Sequence, residues 1–330
     1  MADYRLTLLS RQGETWDLTQ RVMTLNWTGS LREVCRSLEI QAAVPTDGSL
    51  PTPPCDLGTE IHLTVDGAQV FLGHLVAREK ATGSSVLSLT AQDRGRFLAG
   101  NQGWYQFSGT TPERAVAALC ADFGVPVGTL AQTGVSVTRK FPGTVLSKIV
   151  DTLYTLAGEQ NGRRYLARFD GTGALEVVEK PTAAALEIAP GKNLQTLTVR
   201  EDISGLTNAV SIYSSAGVLI RTVEDAESAA LYGRFQSILT QRDGEDKGPE
   251  AQAELEDNGL QQNMTVECLG DPSLITGNAV LLRENSTGAV GLCWIDSDTH
   301  TWKGGVYTTK LVLNFRNLMD EAEAGKLPDA

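Results

Sequence analysis

A chain of 330 residues, 41% hydrophobic and 6% aromatic with 33 glycines, is long enough for two or three domains, each with its own core. Its net charge of −12 argues against gripping nucleic acid through clustered Lys and Arg, and no apolar run approaches the ~20 residues that span a bilayer. Five scattered cysteines, none paired as C-x-x-C, argue against a disulfide framework or a structural zinc and read as small core residues in a reducing compartment.

In chain order, Met1 to Arg5 leads directly into alternating residues without a signal peptide's apolar core, so the protein is expected to stay in the cytoplasm or leave by a route needing no signal. Short strands follow to about residue 98: Tyr4-Leu6-Leu8, Leu38-Ile40-Ala42, Ile61-Leu63-Val65, Val70-Leu72 and Val86–Leu89. Asp47-Gly48, Pro51-Thr52-Pro53-Pro54 and Asp66-Gly67 supply turns, the last a tight hairpin between Val65 and Val70. This spacing predicts a small antiparallel barrel or sandwich.

After Phe107 the pattern becomes helical. Thr111-Pro112-Glu113 combines a capping hydroxyl, a proline where no N–H is missed, and an acid at the positive helix end. Val116, Leu119, Cys120 and Phe123 form its apolar stripe, and Gly124 with Pro126 stops it. A second helix starts near Thr144 with Leu146, Ile149, Val150 and Leu153 inward, and ends between Gly158 and Gly162. Strands at 165–169 and 174–178 flank Asp170-Gly171-Thr172-Gly173, giving a compact α+β module.

From Leu194 the strands return, interrupted by a polar helical insertion over roughly Glu224 to Gln262 that Pro249 helps to open. They resume at 264–269, 278–283, 291–297 and 307–315, and Asp320 to Ala330 reads as a frayed acidic tail. The fold class expected is mainly β with α+β insertions: two small antiparallel β-barrel domains around a helix-containing middle module. The boundaries are 1–98 for the first barrel, 99–190 for the middle, 191–320 for the second barrel with its insertion, and 321–330 for the tail.

The stretch from Trp294 through Lys303-Gly304-Gly305 to Phe315 carries the functional question. It reads as a hairpin, and strand alternation puts Asp296, Asp298 and His300 on one face. Such a row suits a metal or a tuned general base, but no matching His, Glu or Cys motif lies elsewhere. Cross-strand hydrogen bonding, or a subunit contact anchored by Trp302, fits better. His62 and His74 fall on neighbouring strands, where ordinary strand positions are favoured over a metal pair. Gly171-Thr172-Gly173 and Gly304-Gly305 precede no helix, so neither is a phosphate loop. No G-x-S-x-G or H-E-x-x-H occurs, so no catalytic residue, metal ligand or cofactor is assigned.

Taken in order, Leu18 to Trp27 with Leu38 to Ile40, Gly124-Val125-Pro126-Val127-Gly128, Arg139-Lys140-Phe141, Gly162 to Tyr165 with Leu175 to Glu179, Ile295 to Trp302, and Leu311 to Met319 resemble the XkdQ-like family of prophage tail proteins. That resemblance implies a non-enzymatic baseplate hub of a contractile tail, related to tail protein D and the hub part of the type VI secretion spike. It implies a homotrimer of two-barrel chains whose six barrels ring a central channel, matching a sixfold tube to a threefold spike. The implied partners are the tail tube protein or tube initiator, the spike protein, other baseplate proteins and the tape measure protein, without specific nucleic-acid binding or membrane insertion. The implied place is the virion or particle tail, assembled in the host bacterial cytoplasm. The acidic balance would then suit a lumen that does not trap DNA.

Two other classes compete. A tail-borne cell-wall-degrading enzyme would have to use the Asp/His row, the one constellation on offer. A carbohydrate-binding module would show an aromatic platform, whereas Trp16, Trp27, Trp104 and Trp302 are dispersed.

Overall fold

The computed structural model of the chain describes residues 3–10, 12–45, 51, 53–242 and 244–328. Strands make up 50% of the chain and helices 17%, so the protein is mainly β. Its internal contacts divide it into two units, Met1–Leu197 with Thr265–Ala330, and the inserted Thr198–Met264.

In the larger unit, one long sheet runs in the order Val306–Asn314, Ala289–Lys303, Val22–Ser30, Glu33–Ala43, Val86–Asp93, Ala68–Lys80, Glu60–Val65, Tyr4–Leu9 and Thr15–Asp17. Each neighbouring pair is antiparallel. The path is open: among the described residues no pairing closes a barrel. The mainly β class is as expected, while the two small closed barrels of that expectation are not seen among these pairings. Val22–Ser30 has a bonded neighbour on each side, Glu33–Ala43 and Ala289–Lys303, so the N-terminal and C-terminal β regions merge through it.

Alternation along these strands buries Leu25, Trp27, Leu38, Ile40, Leu89 and Ala91 in one core, joined by Trp302 and Tyr307 from the far end of the chain. The Asp66-Gly67 hairpin is present as expected. Val65 pairs with Ala68 across two residues at φ 48° and 83°, which the glycine allows without a Cβ penalty. The turn expected at Asp47-Gly48, and Thr52 of the proline-rich turn, lie outside the described residues.

The middle module contains helices Pro112–Asp122 and Leu146–Asn161, the strand pair Gln102–Thr110 and Val137–Val145, and a three-stranded sheet of Tyr165–Phe169, Leu175–Glu179 and Val127–Leu130. Leu119 and Cys120 meet Ile149, Leu153 and Leu175 in its core. Gly162 ends the second helix in the left-handed conformation, as a C-terminal glycine does. Thr111 precedes the first helix but makes no side-chain cap; its buried hydroxyl has no partner. The residue type was right for a cap, and the side-chain rotamer is not.

The C-terminal segment differs from its reading as a frayed tail. Met319 is buried in the middle core. The backbone N–H groups of Ala322 and Ala324 donate to the hydroxyls of Thr155 and Thr152, 3.2 and 3.1 Å away. Lys326 pairs with Lys140 in an antiparallel bridge. The threonines project from one helix face at i and i+3, a spacing that lets an extended chain lie along the helix.

The inserted unit holds the helices expected between Glu224 and Gln262, with Pro249 at the start of the longer one, and adds a strand that was not expected. Helices Ala226–Tyr232 and Gly248–Asp257 flank Gln236–Gln241, which pairs in parallel with Ala209–Ser214, itself antiparallel to Leu219–Glu224. Ser237-Ile238-Leu239-Thr240 has strand propensity, and its polar flanks masked that signal in the sequence. Val210 and Ile212 pack on Ala251 and Leu255.

Candidate functional site

The terminal hairpin forms as read from sequence, with Lys303 paired to Val306 across Gly304-Gly305, both at positive φ. A bulge between the Ile295 and Ser297 pairs then shifts the register. Ile295 and Asp298 both point inward, and Asp296 is left in the bulge. The face therefore carries Asp298, His300 and Trp302, and Asp296 is displaced from the expected row. Asp296 accepts from Asn314 Nδ2 at 3.3 Å, while its backbone carbonyl accepts from Leu31 N.

Asp298, His300 and Trp302 are 2%, 0% and 4% exposed, so their contacts lie within the protomer. Arg36, two strands away, reaches over Gly29, the residue paired with Asp298. A Cβ on Gly29 would come within 2.0 Å of Arg36 Nη1; only glycine leaves that path open. The guanidinium meets the carboxylate fork to fork, with Nη1 donating to Oδ1 at 3.0 Å and Nη2 to Oδ2, the strongest geometry for this pair. Its plane sits 4.2 Å over the Trp27 ring, which adds a cation–π contact. Thr276 donates twice more to Oδ1, from its backbone N at 2.6 Å and its hydroxyl at 2.7 Å. Asp93 fixes the Arg36 backbone, accepting from Arg36 N and from Gly95 N.

Around His300 the partners settle the tautomer. Nε2 faces two acceptors, the Leu274 carbonyl at 3.2 Å and Asp298 Oδ2 at 3.3 Å. Nδ1 faces two hydroxyls, Tyr307 at 2.8 Å and Thr309 at 3.2 Å. The proton therefore sits on Nε2, and Nδ1 accepts. Burial pushes the imidazole pKa down against the pull of Asp298, so the ring is neutral at pH 7. Burial pushes the Asp298 carboxyl up, but Arg36 and His300 outweigh it and hold it well below the usual carboxylate range. Trp27, Trp302 and Tyr307 surround the imidazole with ring centroids 4.8, 6.3 and 5.9 Å away.

Chemically, this cluster is closed. The Asp298 carboxylate is filled by four donors besides the His300 contact, and neither it nor the imidazole is open to a substrate. Among the described residues, no group of three or more His, Cys, Asp or Glu converges to hold a metal ion. His62 and His74 do approach one another, through Glu60. His62 Nε2 is 2.8 Å from Glu60 Oε1, and His74 Nε2 is 3.8 Å from Glu60 Oε2. All five cysteines are free; burial pushes the Cys55 and Cys120 thiols up to about 11 and Cys268 and Cys293 to about 12, leaving them inert at neutral pH.

Sequence reading missed Arg36, Thr276 and the Trp27 ring as partners of the row. The one local signal was Gly29 inside a strand, which marks a close approach.

The fold has relatives. A family model described as YqbQ-like matches residues 25–314. The phage-like element PBSX protein XkdQ of Bacillus subtilis (strain 168) is 23% identical over 77% of this chain and 81% of its own. Among solved structures, the 43 kDa tail protein of prophage MuSo2 from Shewanella oneidensis superposes with a TM-score of 0.73 at 12% identity, covering 95% of this chain and 97% of that one. The E. coli c3393 protein gives 0.54 at 12% identity over 94% of this chain and 76% of that one. It is described as a component of the type VI secretion system structurally similar to the T4 tail proteins gp27 and gp5. With the match running from the strand that carries Trp27 to the one that closes the terminal hairpin, this chain belongs to the YqbQ-like family.

Proposed function

We propose that this protein is a structural baseplate hub of a contractile phage tail or tail-like particle. Three copies form a pseudo-sixfold ring that joins tail tube to spike around a central channel. Each protomer contributes two barrel-like halves, 1–98 and 191–320 with its insertion, around the middle module 99–190, with 321–330 as an acidic C-terminal tail. The spike, the tube protein or its initiator, other baseplate proteins and the tape measure protein are its partners. It acts in the tail after assembly in the host cytoplasm.

The observation that carries this reading is the end-to-end likeness to a prophage tail protein, which spans nearly the whole of both chains. The sealed Asp298–His300 cluster adds to it, because the residues best suited to chemistry stabilise the sheet instead. A cyclic trimer also fits a chain with open sheet edges, since a heterologous ring covers the same patch on every copy.

Absolute mass in solution tests the reading. A species near three times 35.4 kDa across a concentration series is expected. A monomer at every concentration, with no trimer on adding tube or spike protein, overturns it. Wall-clearing activity lost in a folded, assembled His300→Ala protein would instead establish the enzyme.

A further inference from the structure

The C-terminal segment lies as a strap along the helix Leu146–Asn161, anchored by Met319 in the core of the middle module. Beyond Met319 its backbone is tied to that helix at Thr155 and Thr152. Arg139 adds a third tie, its Nε donating to the Ala324 carbonyl at 3.0 Å. Between the anchor and these ties, two carboxylates share one lysine. Lys148 Nζ is 3.0 Å from Asp320 Oδ2 on the strap and 3.4 Å from Asp151 Oδ2 on the helix.

Both carboxylates are shielded from water, with 24% of the Asp320 side chain and 16% of the Asp151 side chain exposed. They border a cavity of about 50 Å³ whose other charged or titratable walls are Arg32, Lys148, Tyr154 and Tyr165. The two tyrosine hydroxyls are engaged elsewhere, with the Ala131 carbonyl and the Asn161 amide. At the rim, Arg164 Nη2 lies 4.0 Å from Glu321 Oε1. Burial pushes the Asp151 carboxyl up to about 7; Lys148 pulls it down and Asp320 pushes it further up.

We propose that the strap is a proton-operated latch: it grips while Asp151 is a neutral acid and slackens as Asp151 ionises beside Asp320. With residues 320–326 lifted, Asp151 meets water and loses its acidic neighbour, so its carboxyl returns toward an ordinary value near ~4. Seating the strap therefore takes up a proton between about pH 4 and 7. The grip is fullest below that range, falls through it, and is level above it. Lys180 Nζ donates to the Leu318 carbonyl at 2.6 Å, on the anchored side of Met319, so its contact stays when residues 320–326 lift. What the lifted strap uncovers is the helix face carrying Thr152 and Thr155. The latch belongs to one protomer and does not depend on the ring.

Hydrogen exchange of the full-length protein from pH 5 to 8, read in peptides covering 320–326 and corrected for the intrinsic rate, tests it. Wild-type protection is expected to fall by up to about tenfold per pH unit, the dependence of one proton, and to level off near about pH 7. Asp151→Asn holds the neutral form and is expected to abolish the slope and keep the strap protected. Asp320→Asn leaves Lys148 to Asp151 alone, and its protection is expected to level off at a lower pH. Flat wild-type protection overturns the latch, as does a slope that survives in Asp151→Asn. If Asp151→Asn fails to fold, Asp320→Asn decides, and levelling at the wild-type pH overturns the shared lysine. Exchange in Glu33–Ala43 reports global unfolding; equal protection there and in the strap means the strap never lifts by itself, which also overturns the latch.

Discussion

Arg36 and Asp298 stand 262 positions apart in the chain and meet as a two-pronged ion pair with 9% and 0% of their side chains exposed. Their contact ties the second strand of the N-terminal hairpin to the C-terminal one across Val22–Ser30. Burial of such a pair costs desolvation on both sides, and its geometry and extra donors offset that cost.

Removing one partner should therefore hurt more than removing both. Asp298→Ala is expected to lose about 3–5 kcal/mol by leaving the Arg36 charge buried alone. Arg36→Met with Asp298→Leu should lose clearly less than Asp298→Ala alone. Urea denaturation of the three proteins checks the order.

Gly29→Ala tests the passage through which Arg36 reaches its partner. A methyl group 2.0 Å from Nη1 forces the guanidinium off the carboxylate, and a loss of about 1–3 kcal/mol is expected from crowding alone. In an Arg36→Ala background most of that loss should vanish, because the obstructed side chain is gone. A double-mutant cycle reads the coupling.

Two buried aspartates give stability opposite slopes with pH. Asp298 has a folded pKa below that of an unfolded aspartate, so its contribution is complete above about pH 4 and is lost as pH falls toward the folded value. Asp93 is raised to about 6 by burial, which outweighs its two backbone N–H donors. Its contribution is complete below about pH 4 and lost as pH rises through 6. Melting followed from pH 3 to 7 should show Asp93→Asn flattening the upper slope and Asp298→Asn flattening the acid one.

The C-terminal strap should behave as part of the middle core. Met319→Ala is expected to cost about 2 kcal/mol or more, as a buried methionine does, and to speed hydrogen exchange in Leu146–Asn161 while leaving exchange in Glu33–Ala43 unchanged. Equal exchange in both proteins would mean the segment contributes no packing.

Much of the local structure was legible because it depends on near neighbours. The Asp66-Gly67 and Gly304-Gly305 turns follow from residues that accept positive φ. The two middle helices follow from apolar spacing at 3.6 residues. The parallel strand in the inserted unit was hidden because its short apolar run lacks the flanks that distinguish strand from helix.

The sequence by itself determined that Asp298, His300 and Trp302 share a strand face, since period-two geometry needs only the strand. It also carried the family resemblance, in ordered short stretches. Only the tertiary structure decided that Asp296 leaves that row at a bulge, that Arg36 rather than a metal or substrate meets Asp298, and that the two β regions make one sheet. Those outcomes depend on which distant strands pair and in what register. Hydrogen bonds between segments hundreds of residues apart set that choice, and no local pattern encodes it.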